Sequence, residues 1–213
     1  MKVQLKGLGK RFQFDWVLRG IDLELETPGQ YAVRGPNGSG KSTFLKMLCG
    51  HLSPSEGKIQ FFVQDQIIDP NKVYQHLTYA APYIDLIEEL TLEEAIDFHQ
   101  RFKPLLAGLD RKKMITLLDF ERSAKKQIRY FSSGMKQRLK LALAICSASD
   151  MVLLDEPTSN LDEQGIEWYR SLIDQYTPGR LLVIASNASV DFDFCNVQIP
   201  IIDYKQKGRR KKK

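Results

Sequence analysis

"GPNGSGKST", residues Gly35 to Thr43, is the stretch on which the fold turns. It fits the pattern G-x-x-x-x-G-K-[ST]. The apolar segment "YAVR" (31–34) precedes it and "STFLKMLCG" (42–50) follows, where Phe44, Leu45 and Leu48 share one helical face and Gly50 can end the helix. Strand, glycine loop and helix in that order predict a loop that cradles phosphate. Phosphate oxygens need many donors in a small concavity, and backbone N–H groups supply them only where no Cβ blocks the approach; hence Gly35, Gly38 and Gly40. Pro36, Asn37, Ser39 and Thr43 complete the loop. The helix beginning near Lys41 adds the positive end of its dipole. The Lys41 ammonium is placed to bridge β- and γ-phosphates, and the Ser42 hydroxyl to ligate Mg²⁺. A glycine-rich turn without a ligand is the competing reading, and the flanking strand and helix weigh against it.

Outward from the loop, "MVLLDEP" (151–157) and "LLVIAS" (181–186) are short continuous apolar runs, as expected of strands covered on both faces. "IDLELE" (Ile21 to Glu26) instead alternates apolar and acidic residues, the period of a strand with one wet face. The expected fold is α/β: a P-loop NTPase core with a mostly parallel sheet, an N-terminal antiparallel β portion and an inserted helical subdomain. Asp155, closing a buried strand beside the phosphate loop, can hold Mg²⁺ directly or through water, and Glu156 falls near where an attacking water would sit. Alone, an apolar run closing on Asp-Glu reads as an ordinary strand end. Paired with the lysine loop it reads as the second half of one site.

Helical spacing recurs in "TLEEAIDFHQRF", in "RKKMITLLDF" and in "GMKQRLKLALAICSA", where Leu139, Leu143, Ile145 and Cys146 form the inner stripe. Thr91 and Glu94 have the spacing of a capping box, so a helix should start at Leu92. Residues 1–204 are expected to form a single domain, with a core of 1–82 and 131–204 and a largely helical insert at about 83–130; 205–213 would be a disordered basic tail.

With 213 residues, 43% hydrophobic and 27% charged, the chain can bury a sizeable core. No run of about 18 uncharged apolar residues occurs and the N-terminus lacks the zones of a secretion signal, so the chain is expected to be cytoplasmic. Cys49, Cys146 and Cys195 are scattered in apolar contexts and read as reduced packing residues. The net charge of +5 misleads, because Lys205, Lys207, Arg209, Arg210, Lys211, Lys212 and Lys213 hold seven of the 31 basic residues, leaving 24 against 26 acidic ones.

"YFSSGMKQRLKLALAI" (130–145) lies between the two halves of the site and "PTSNLDEQG" (157–165) follows the second. This order of phosphate loop, helical insert, Ser-x-Gly-Met-Lys-Gln-Arg helix start, Asp-Glu strand and Ser-Asn-Leu-Asp loop resembles the ATP-binding cassette (ABC) ATPases across residues 1–203. The resemblance implies ATP and Mg²⁺ as ligands and a homodimer or paired cassette, packed head to tail. Ser132 and Gly134 would then touch the γ-phosphate bound to the opposite chain; the competing reading is a helix N-cap that only stabilises its own helix. Glu156 would orient or deprotonate water, and Asn160 and Asp162 match a loop that couples the two sites, unless they are solvated turn residues. Phe12 sits where the family often stacks an aromatic ring on adenine; Phe14 or Trp16 could do so instead, or all three could pack on the antiparallel sheet.

The resemblance also implies a separate transmembrane transporter subunit docking near 83–130, with the cassette peripheral to the inner face of the cell membrane. The relaxed signature, with Ser133 and Met135 in place of the usual glycine and glutamine, resembles exporter-type cassettes made as separate subunits. Two further departures stand out. The glutamine usual at the start of the insert is missing: Pro82, or with one gap Tyr83, falls there, and Pro82 has no amide donor and no side-chain oxygen. Metal contact would have to come from water or a shifted neighbour. Downstream, Ser186 and Asn187 stand where the family shows Ser-His, so a neutral amide replaces a group able to become cationic. Hydrolysis is expected to be slower rather than absent, unless Asn187 only ends its strand.

Two other functions compete with this one. A soluble ABC ATPase acting on nucleic acid or ribosomes would use the basic tail, but such proteins usually carry two cassettes, so nucleic acid is not the expected partner. A GTPase is excluded by the absence of a guanine-reading pattern, since Val73 and Tyr74 follow Asn71 and Lys72.

Overall fold

The computed structural model describes residues 1–205. β1 (Lys2–Phe12) and β2 (Asp15–Glu26) form an antiparallel hairpin running from Lys2 opposite Glu26 to Phe12 opposite Asp15. The "IDLELE" alternation is realised in β2: Ile21 and Leu25 are buried while Asp22, Glu24 and Glu26 face water. β3 (Gly29–Arg34) runs into the glycine loop and α1 (Lys41–Leu48), and Gly50 follows that helix at a φ of 78°. β4 (Glu56–Val63) and β5 (Gln66–Ile68) extend the hairpin into a four-stranded sheet of order β2-β1-β4-β5.

β6 (Leu77–Ala80) begins a second sheet. After it come α2 (Leu92–Gln100), α3 (Arg111–Leu118), α4 (Ser133–Ile145), β7 (Met151–Asp155), α5 (Glu163–Tyr176), β8 (Leu181–Ser186) and β9 (Val197–Pro200). This sheet has the order β6-β7-β8-β3-β9 and every neighbouring pair is parallel. The antiparallel strands thus form their own sheet instead of an edge of the parallel one. Successive residues of β3, β7 and β8 point to opposite faces. Ala32, Val152, Leu154, Leu182 and Ile184 join the core under α2–α5, while Val33, Met151, Leu153, Leu181 and Val183 join the core under α1 and the antiparallel sheet.

The capping box forms as expected: the Glu94 amide donates to Thr91 Oγ1 at 3.3 Å and the Thr91 amide to Glu94 Oε2 at 2.8 Å. The 83–130 segment is less helical than its pattern suggested. Besides α2 and α3 it holds only the short 3₁₀ turns Glu121–Ser123 and Ile128–Tyr130. Pro82 disfavours helix just before it, Pro104 and Gly108 (φ 85°) interrupt the stretch between α2 and α3, and Leu86 and Leu90 pack on the core from a loop.

At the far end of the parallel sheet, buried Arg180 binds four main-chain carbonyls: Ser149 at 2.8 Å, Ile145 at 2.6 Å, Ser147 at 2.9 Å and Tyr176 at 3.1 Å. Ile145 and Tyr176 are the last residues of α4 and α5, so one guanidinium caps two helix C-termini. Burial pulls its pKa down to about 10. All three cysteines are free and buried. Among the described residues no helix is long and apolar enough to cross a membrane. Of the basic tail only Lys205 is described, its ammonium donating to the Gly38 carbonyl at 3.0 Å; residues 206–213 lie outside.

Candidate functional site

The glycine loop is shaped by its neighbours as much as by its own residues. Gly38 and Gly40 adopt φ angles of 73° and 104°, which L side chains rarely take. At Gly40 a Cβ would also lie 2.9 Å from the Leu18 side chain, because β2 presses on the loop. No side chain caps α1, so its first N–H groups, around half-buried Ser42 and Thr43, are free for an anion. Pro36, Asn37 and Gly38 are exposed at the rim, whereas Ser39 is buried with its hydroxyl unpartnered. Lys41, only 5% exposed, folds back over the loop. Its Nζ donates to the Gly35 carbonyl at 3.0 Å and lies 3.1 Å from Glu156 Oε1.

The carboxyl ends of β7 and β8 bring the acidic residues to the same place. Asp155 is 1% exposed and its Oδ1 has no hydrogen-bond partner. Burial raises its pKa, opposed by the nearby Ser42 hydroxyl and then by Tyr83, whose phenol makes the one hydrogen bond to this carboxylate among the described residues, to Oδ2 at 3.0 Å. Glu156 takes a φ of 46° and its amide donates to the Ala185 carbonyl at 2.8 Å. Its Oε2 accepts from Ser186 Oγ at 2.9 Å, and Ser186 Oγ in turn accepts the Ala188 amide at 3.0 Å. Asn187 does reach the phosphate loop: its Nδ2 donates to Asn37 Oδ1 at 3.1 Å. Contacts therefore join Lys41, Glu156 and Ser186, and the next residue in the chain, Asn187, contacts Asn37.

None of the three histidines takes that place. His76 pairs with Asp150 at 2.7 Å, His99 with Ser147 at 2.8 Å, and His51 meets Tyr79 edge-on at 5.9 Å. Sequence reasoning passed over Asp191, which is 1% exposed and accepts the Thr158 amide at 3.2 Å, joining the segment after β8 to the loop after β7. A carboxylate four residues beyond Asn187 was the available signal. It also passed over the Tyr83 hydroxyl, because the missing glutamine drew attention to what Pro82 lacks.

Ser132 caps α4, its Oγ accepting the Met135 amide at 3.2 Å. A Cβ on Gly134 would lie 3.0 Å from the Asn160 carbonyl, and the buried Gln137 donates to the Pro157 carbonyl at 2.8 Å. The signature segment thus rests on the 157–160 loop of its own chain. Asn160 has a φ of 65°, and Asp162 caps α5 by accepting the Gly165 amide at 2.8 Å. Phe12, at the tip of the hairpin, is 47% exposed with the Lys10 ammonium 5.3 Å from its ring centroid. Phe14 is also exposed, whereas Trp16 is taken up by Arg19 and Arg11 at 4.5 and 5.5 Å.

Among the described residues no cluster of three or more His, Cys, Asp or Glu could cage a metal. The oxygen-only donors of Asp155 and Ser42, with Oδ1 orphaned, suit instead a hard cation that takes most of its ligands from substrate phosphates and water, as Mg²⁺ does.

A lysine turned over an uncapped helix start and a buried carboxylate, both at the carboxyl edge of one parallel sheet, define a P-loop nucleotide-binding domain. Within that class the chain belongs to the ABC transporter family, whose profile matches residues 18–159. It is 31% identical over 187 residues to the Bacillus subtilis ABC transporter ATP-binding protein YcbN, covering 87% of this chain and 61% of that protein. It is 30% identical over 165 residues to the Nod factor export ATP-binding protein I of Ralstonia nicotianae, covering 76% of this chain and 51% of that protein. The chain therefore spans little more than half the length of these curated relatives. A solved dimeric bacterial ABC transporter cassette has the same fold, with a TM-score of 0.79, 22% identity and coverage of 94% of this chain and 95% of that one.

Proposed function

We propose that this chain is the ATP-binding and hydrolysing subunit of an ABC membrane transporter of the exporter type, working as a head-to-tail nucleotide sandwich of two cassettes. The observation that carries the reading is the joined set of contacts from Lys41 through Glu156 and Ser186, beside the orphaned oxygen of Asp155. Residues Gly35 to Thr43 hold the phosphates through main-chain N–H groups and the Lys41 ammonium, and Phe12 stacks on adenine. Ser132 and Gly134 approach the γ-phosphate bound to the opposite copy; the dimeric state of the solved cassette supports that pairing.

Mg²⁺, when bound through Ser42 and Asp155, supplies charge neutralisation of the phosphates. Glu156, oriented by the Ser186 hydroxyl, aligns a water for in-line attack on the γ-phosphorus and accepts its proton as the bond to ADP breaks. Asn187 offers a neutral donor on the same side.

A separate transmembrane subunit docks near 83–130, which places the cassette in the cytoplasm, peripheral to the membrane. An apolar groove of about 410 Å³ lined by Ile84, Ile87, Leu90, Phe98 and Phe102 supports this site. The Nod factor export relative supports the exporter assignment.

Size-exclusion chromatography of Glu156→Gln tests the sandwich: ATP should convert monomer to dimer, and a monomer at saturating ATP overturns it. Pull-down from membranes should recover a multi-span partner.

A further inference from the structure

The position that lacks the family's glutamine carries an oxygen after all. We propose that Tyr83 is a positioning residue of the metal site: its phenol pins Oδ2 of Asp155 and leaves Oδ1 as the oxygen presented to a divalent cation. The inference rests on the nucleotide–metal reading above.

An aspartate backbone can be fixed while its carboxylate is not, because the terminal torsion is broad and roughly two-fold. Asp155 is such a case. Its main chain is held opposite Ala185 in the parallel sheet, but only hydrogen bonds can choose which oxygen faces which way. Tyr83 donates to Oδ2 at 3.0 Å, and Oδ1 is left buried without a partner.

The phenol is itself held from two sides. The Lys46 ammonium, from the last turn of α1, sits 4.1 Å from the Tyr83 ring centroid. The Tyr79 hydroxyl, from β6, contacts the Tyr83 hydroxyl. Each phenol has one proton, so Tyr83, having given its own to the carboxylate, accepts the proton of Tyr79. The order Tyr79 to Tyr83 to Asp155 has a single direction and ends on the carboxylate. Partners that orient a metal-holding group typically alter metal affinity by 10–100-fold when removed.

The test is binding of a fluorescent ATP analogue to the full chain, titrated with Mg²⁺, in wild type, Tyr83→Phe and Tyr83→Gln. Phenylalanine keeps the ring and its stacking with Lys46 and removes only the O–H. The expected result is a rise of about tenfold in the Mg²⁺ needed for half-maximal enhancement of binding. Binding without Mg²⁺ should stay at the wild-type value, while the melting temperature should fall modestly as Asp155 and Tyr79 each lose a partner. Glutamine, whose amide can donate to the carboxylate, should recover part of the Mg²⁺ response. An unchanged Mg²⁺ midpoint in Tyr83→Phe overturns the proposal, as does an equal loss of binding with and without Mg²⁺. A wild-type chain indifferent to Mg²⁺ would instead defeat the nucleotide–metal reading itself.

Discussion

At Asn187 the chain sets a neutral amide against Asn37 of the phosphate loop, 3.1 Å away. On the proposed mechanism, Asn187→Ala removes one hydrogen bond worth about 1 kcal/mol and should slow ATP hydrolysis roughly fivefold. Asn187→His, able to supply a charged donor, should raise turnover above wild type. Steady-state ATP hydrolysis measures both, and an alanine variant at full rate would make Asn187 a strand end and nothing more. Arg180 shows what a residue-by-residue reading misses. Nothing adjacent in sequence announces that one cation will collect carbonyls from Ile145, Ser147, Ser149 and Tyr176. Lysine has three donors where arginine has five, so Arg180→Lys leaves buried carbonyls unpaired and should cost about 1–3 kcal/mol in urea unfolding. The phosphate-loop residues were legible because their function constrains consecutive positions. Tyr83 and Asp191 act across gaps in sequence that only folding closes.

Among the elements, α2 is the most fully written in its own residues. Its capping box needs only Thr91 and Glu94, so Thr91→Ala should lower stability by about 1 kcal/mol, visible as a reduced melting temperature. The same helix holds a pH response. Burial, and after it the charge of Lys103, keeps the pKa of His99 below its ordinary 6.5 while its ring bonds Ser147. The unfolded chain takes up that proton first, so stability is full above pH 6.5 and falls as the pH drops through 6.5 toward the lowered folded value. His99→Gln should flatten the melting temperature between pH 7 and 5 relative to wild type. The loop before α2 was harder to read. It falls within the insert expected to be largely helical at about 83–130, but Leu86 and Leu90 reach the core from irregular chain.

Over the whole molecule, the parallel sheet ties two cores together at the level of single residues. Leu153 and Leu154, or Leu182 and Val183, are neighbours in the chain but anchor opposite cores, so neither core can loosen without the strands that serve both. Trp16 lies on the antiparallel side and Trp168 in α5, which provides one probe for each. Single-tryptophan variants should give coincident urea transitions; separated midpoints would show that the two sides unfold independently. The buried character of β7 and β8 was legible from their unbroken apolar runs. Their order in the sheet was not, because crossover connections leave no mark on strand composition.

The contact between Lys41 and Glu156 ties the two halves of the proposed site together. On the proposed mechanism, the lysine that grips phosphate here pairs with the carboxylate that activates water, each serving as the other's counter-ion. On that mechanism, a phosphate that takes over the lysine releases the carboxylate in one exchange. Loading and arming would then be a single event.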